Sequence, residues 1–65
     1  MENRQEKIAR MVREEFDKFG CVNVPAVCGR LNRNGGIRYS MAEVEDFLEG
    51  DGFVKRSQFV WMPRE

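Results

Sequence analysis

Glycine and proline cut this chain into pieces too short for anything but a small mixed fold. Breakers fall at Gly20, Pro25, Asn34-Gly35-Gly36, Gly50, Gly52 and Pro63. Each marks a point where a helix or a strand starts or stops. The 65 residues therefore read as one domain, 1–65. A domain of this size buries only about 60% of the surface its unfolded chain exposes, so every piece must feed one core. No dinucleotide-binding fold or barrel fits.

The first piece predicts a helix over residues 3–19. Ile8, Met11, Val12, Phe16 and Phe19 recur at steps of three and four, one face of a 3.6-residue period. Arg4, Lys7, Arg10, Arg13, Glu14, Asp17 and Lys18 occupy the opposite face. Gly20 follows as a left-handed cap. Cys21-Val22-Asn23-Val24 is short and β-prone. Pro25 suits the first turn of a second helix, where a missing N–H costs nothing. That helix runs to Asn32 or Arg33, with Val24, Val27, Cys28 and Leu31 inward.

Beyond the Asn-Gly-Gly break, Ile37-Arg38-Tyr39 reads as an extended link. Ser40-Met41-Ala42-Glu43 has the form of a capping box, in which hydroxyl and carboxylate each accept from the other residue's backbone N–H. It opens a third helix, residues 41–49, with Met41, Val44, Phe47 and Leu48 inward. Residues 53–62 read as a hairpin. Phe53-Val54 and Phe59-Val60-Trp61-Met62 are its strands and Lys55-Arg56-Ser57-Gln58 its tip. Alternation places Val54, Phe59 and Trp61 on one face, Val60 and Met62 on the other. The class is α+β: three helices and a C-terminal β wing of two or three strands.

This layout resembles the winged helix-turn-helix superfamily. The resemblance covers nearly the whole chain. It is carried by Ser40-x-x-Glu43-Val44-x-x-Phe47-Leu48, then Gly50-Asp51-Gly52-Phe53-Val54, then Phe59-Val60-Trp61. Leu31-Asn32-Arg33 and Tyr39-Ser40-x-x-Glu43, with a long turn between the second and third helices, look like the C-terminal winged helices of replicative minichromosome-maintenance helicases. The resemblance implies a third helix that enters the major groove and a wing that touches backbone or minor groove. It also implies that the start of the third helix and the wing can face the same way.

Charge is the test of that expectation. The chain holds 11 basic and 11 acidic residues, so the total is zero. The distribution is uneven. Residues 20–39 carry Arg30, Arg33 and Arg38 and no acid; residues 40–52 carry Glu43, Glu45, Asp46, Glu49 and Asp51 and no base. The exposed face of the third helix is then Ala42, Glu43, Glu45, Asp46 and Glu49. Duplex DNA carries about one negative charge per 1.7 Å of axis, so this face is repelled by it.

Two functions follow. The first, ranked ahead, is a nucleic-acid-binding module, with duplex DNA as the expected partner. It grips phosphate through Arg33, Arg38, Lys55 and Arg56, with N–H donors at the Ser40 helix start and Tyr39 stacking on a base or ribose. The second is a protein-interaction or self-associating module. It uses Glu43, Glu45, Asp46 and Glu49 against a basic partner, or Trp61, Val60 and Met62 as an apolar patch.

An enzyme is not expected. His is absent, which removes the commonest general base and metal ligand. Cys21 and Cys28 lack a base as nucleophiles, lack companions for a zinc site, and read as buried thiols. Glu45, Asp46 and Glu49 form no fixed cage for a metal. No cofactor and no small-molecule substrate is expected. No stretch approaches the roughly 18 apolar residues of a membrane span, and the first twenty residues hold no signal-peptide core. The expected location is intracellular.

Overall fold

The computed structural model describes residues 2–33 and 38–64. Helix α1 spans Arg4–Phe19, strand β1 Val22–Asn23 and helix α2 Val24–Leu31; α3 spans Met41–Gly50, β2 Phe53–Lys55 and β3 Val60–Pro63. Among the described residues, three helices pack with a three-stranded antiparallel sheet of order β1-β3-β2. This is the α+β layout of a small winged helix-turn-helix. The Asn34-Gly35-Gly36 break and Ile37 lie outside the described residues.

Local chemistry accounts for the element ends. Asn3 and Glu6 form a full capping box on α1: Asn3 Oδ1 accepts from Glu6 N at 2.8 Å, and Glu6 Oε1 accepts from Asn3 N at 3.0 Å. Gly20 closes α1 at φ 75°, as expected, and its N–H reaches Phe16 O at 2.7 Å. Asn23 caps α2, accepting from Ala26 N at 3.1 Å, with Pro25 in the first turn. The Ser40 Oγ caps α3 by accepting from Glu43 N at 3.2 Å. The expected box there is only half formed, because the Glu43 carboxylate turns away to Arg4.

The core is Ile8 and Val12 of α1, Val22 of β1, Val24, Val27 and Leu31 of α2, Tyr39 of the segment before α3, Val44 and Leu48 of α3, and Trp61 of β3. Burying one Ile, Leu or Val fully stabilises by about 1.5–3 kcal/mol, so these few side chains carry most of the fold. Phe16 and Phe53 meet edge to face at 6.2 Å and bring α1 against the hairpin. Two stripe ends and the two thiols depart from expectation. Phe19 is 61% exposed and Met41 is also exposed, because each sits in a terminal turn beyond the packed layer. Cys21 and Cys28 are free and half-buried, where full burial was expected.

The register corrects the wing's faces. Val54 stands opposite Met62, and Trp61 opposite both Val22 and Lys55. Opposed residues share a face, so Val54 belongs with Met62 on the outer side and not with Trp61. Trp61 turns inward and is 6% exposed. It plugs the core, and the expectation that it meets a partner fails. The tip is also one residue later than expected, since Phe59 lies outside β3. Arg56 N and Ser57 N close the tip onto Val60 O at 2.9 and 3.3 Å.

Candidate nucleic-acid interface

The segment before α3 is held by three side chains from elsewhere in the chain, Asn32, Cys28 and Arg4. Asn32, just past α2, acts as a substitute strand. Its Nδ2 donates to Tyr39 O at 2.9 Å and its Oδ1 accepts from Tyr39 N at 2.8 Å. The Cys28 thiol donates to the same carbonyl at 3.3 Å. Arg4, at the start of α1, binds from the other side. Its Nε donates to Glu43 Oε2 at 2.8 Å and its Nη2 to Arg38 O at 2.8 Å. The guanidinium lies 4.4 Å from the Tyr39 ring centre, and Lys7 Nζ lies at 5.7 Å.

This arrangement reassigns three expected binding residues. Tyr39 is 6% exposed, covered by Arg4 and Lys7, so no base can stack on it. Glu43 is not a free partner-facing acid, because Arg4 holds it. Hydrogen bonding from the guanidinium sets the Glu43 carboxyl below its ordinary value of 4.5, and Arg4 is raised in return. Ser40 is exposed, but its oxygen already serves as the α3 cap.

The remaining expected residues are exposed, except that Glu45 is half-buried. Among the described residues, Arg33, Arg38, Lys55 and Arg56 take part in no ion pair, and neither do Glu45, Asp46 and Glu49. Arg4, Arg10 and Arg30, by contrast, are all committed. Arg10 reaches Glu2 at 2.9 Å, and Arg30 reaches Glu14 at 2.6 Å.

Arg33 belongs to a second surface. With Lys18 and Arg30 it borders an open concavity of about 890 Å³ between the end of α1 and the outer side of α2, floored by Glu15 and edged by Phe19 and Cys21. Glu15 is 4% exposed, and Arg30 Nη1 stands 3.8 Å from its carboxylate. Its burial was readable in the sequence, since it falls between Val12 and Phe19 on the apolar stripe. Arg4 and Asn32 left no such trace. Arg4 binds a residue 39 positions away, and a lone Asn after a helix reads as a cap.

Among the described residues, no group of His, Cys, Asp or Glu is arranged to hold a metal, and no helix is long and apolar enough to cross a membrane. Compared with protein-family models, with curated proteins and with solved structures, the chain matches none.

Proposed function

We propose that this winged-helix domain binds the phosphate backbone of duplex DNA through its wing and the segment before α3, with little sequence readout. The observation that carries this reading is the division of the cations. Arg4, Arg10 and Arg30 are spent on carboxylates, whereas Arg38, Lys55 and Arg56 are exposed and, among the described residues, hold none. An Arg left unpaired at a surface is free to exchange counterions for phosphate.

Helix α3 does not enter the groove in this mode. Asp46, Glu49 and Asp51 are exposed, Glu45 is half-exposed, and the helix carries no Lys or Arg to offset them. Its carboxylates keep it from the duplex, so binding stays shallow and strongly salt-dependent. Three phosphate contacts give a log–log salt slope of about −3.

The test is fluorescence anisotropy with a labelled duplex of mixed sequence at about 50 mM salt, where phosphate contacts are strong. Lys55→Glu with Arg56→Glu should weaken binding by at least about tenfold. Glu45→Ala should leave it unchanged or strengthen it. Binding that ignores the wing change removes this assignment.

A second reading has its own support. Val54, Val60 and Met62 line the outer face of the sheet, Met62 at 39% exposed, with exposed Phe59 beside them. A wing that only touched phosphate would not need an apolar outer face. A protein partner seated there would use it, with the acids of α3 as a further contact.

A further inference from the structure

Glu15 is a buried carboxylate that no hydrogen bond satisfies among the described residues. It is 4% exposed. Arg30 Nη1 stands 3.8 Å from its Oε1, beyond hydrogen-bond range, while Nη2 of the same guanidinium donates to Glu14 at 2.6 Å. Among the described residues the one fully sealed side-chain polar atom without a partner is Trp61 Nε1. The Glu15 oxygens therefore keep contact with the concavity of about 890 Å³ that Glu15 lines. A buried carboxylate left without donors is costly, so a ligand that brings donors is favoured there.

The walls determine which donors fit. Lys18 and Phe19 follow Glu15 by three and four residues and are its neighbours on α1. Arg30 of α2 and Arg33 in the turn after it supply the other side. Lys18 and Arg33 are exposed and, among the described residues, pair with no carboxylate. An ammonium would meet these three cations, so the donors must be neutral and the rest of the ligand negative. Phe19 is 61% exposed and adds a flat apolar surface, with Lys18 Nζ 5.6 Å from its ring centre. A neutral donor edge, a flat face and an anionic tail together describe a nucleotide.

We propose that this concavity binds a guanine nucleotide, with the base edge on Glu15 and the phosphate on Lys18 and Arg33. A carboxylate offers two oxygens side by side and accepts two parallel donors. Guanine presents its ring N–H beside its exocyclic amine. Adenine and cytosine set a ring acceptor beside their amine, and uracil and thymine flank a single N–H with carbonyls. Each of those would turn a lone pair on the carboxylate. Phe19 receives the face of the base, as aromatic side chains receive unstacked bases. In a duplex the same edge is taken up by base pairing, so this site works apart from the phosphate grip of the wing. A free nucleotide and an unpaired guanine in a strand both present the required chemistry.

The test is an amide-NMR titration of the full chain with GMP, AMP, CMP and UMP, each to about 5 mM, which covers weak binding. GMP should bind at least about tenfold more tightly than the other three, with shifts between Glu15 and Cys21 and at Arg30. Glu15→Gln keeps the shape and leaves one acceptor, and should bring GMP to the level of AMP. Should that variant fail to fold, the comparison of bases on the parent chain decides. Lys18→Ala with Arg33→Ala should weaken GMP severalfold and leave guanosine unchanged. Lys55→Glu with Arg56→Glu should leave GMP binding as in the parent, which separates this site from the wing. An oligothymidylate with one central guanine, set against the all-thymidine strand, distinguishes the sources: tighter binding of the guanine strand assigns the site to single strands, and GMP binding without that gain assigns it to the free nucleotide. Four nucleotides bound alike, or GMP binding that survives Glu15→Gln, would leave only an anion-attracting patch and overturn the proposal. Absence of shifts at the top concentration overturns it equally.

Discussion

The segment before α3 and the wing are two polar regions of one small domain, and they use their charges in opposite ways. Before α3, nearly every polar group has a partner inside the chain. Asn32 closes on the Tyr39 backbone, Arg4 closes on Glu43 and the Arg38 carbonyl, and the Tyr39 ring lies under Arg4. In the wing, among the described residues, Lys55 and Arg56 hold no ion pair and one strand edge is open. Apart from the exposed Arg38 side chain, the first region spends its polar chemistry on shape. The second keeps it for something outside the chain. Arg4 is therefore structural while Lys55 and Arg56 are available at the wing, and only their surroundings tell them apart.

Substitutions can break this contrast, and the largest effect belongs to the layer beneath both regions. Leu48 is fully buried. Leu48→Ala should cost about 2–5 kcal/mol, enough to unfold much of a domain with so small a core, as chemical denaturation would show. Asn32→Ala comes next. It strips the Tyr39 backbone of both its bonds to Asn32, leaving the carbonyl only the Cys28 thiol, and should cost about 1–3 kcal/mol. A cost near zero would mean the clamp follows from the fold and does not hold it.

The wing should respond in reverse. Lys55→Glu with Arg56→Glu should move stability by no more than about 0.5 kcal/mol, yet weaken DNA binding at least about tenfold in the anisotropy assay. A large loss of stability would put these residues in the same class as Asn32 and erase the distinction.

The Arg4–Glu43 pair should give the smallest effect, and a pH-dependent one. The folded Glu43 carboxyl titrates below its ordinary 4.5. Its contribution is therefore complete above that value and is lost as pH falls through the lowered folded value. Glu43→Gln should be less stable than the parent at pH 7, and the gap should close toward about pH 3, below the ordinary carboxylate range. Paired denaturation curves at the two pH values would show it. A gap that persists in acid would assign the effect to packing.

Periodicity and punctuation were enough to read the elements. The apolar stripes of α1, α2 and α3 and the β-rich wing all form where the residue pattern puts them, within two residues at each end. That succeeds because helix and strand periods are local properties. The candidate site was less legible, because its decisive contacts are not local. Ser40-x-x-Glu43 has the form of a capping box, but Arg4 arrives from the other end of the chain and takes the carboxylate. Tyr39 looked like an exposed aromatic in a link. Its burial depends on Arg4 and Lys7 lying over the ring. Alternation puts Val54 on the wrong face because it cannot carry through a hairpin tip of unknown length. One residue in the tip exchanges inside and outside.

The division between spent and available cations is tested most directly by following backbone amides of the labelled chain as mixed-sequence duplex is added. The titration should run at about 50 mM and then about 200 mM salt, the range over which phosphate contacts weaken most. The account predicts shifts at Arg38 and at Lys55 through Ser57 that shrink at the higher salt, with the amides of α3 beyond its first turn unmoved. Shifts centred on Glu45 to Glu49, or none at the lower salt, would contradict it.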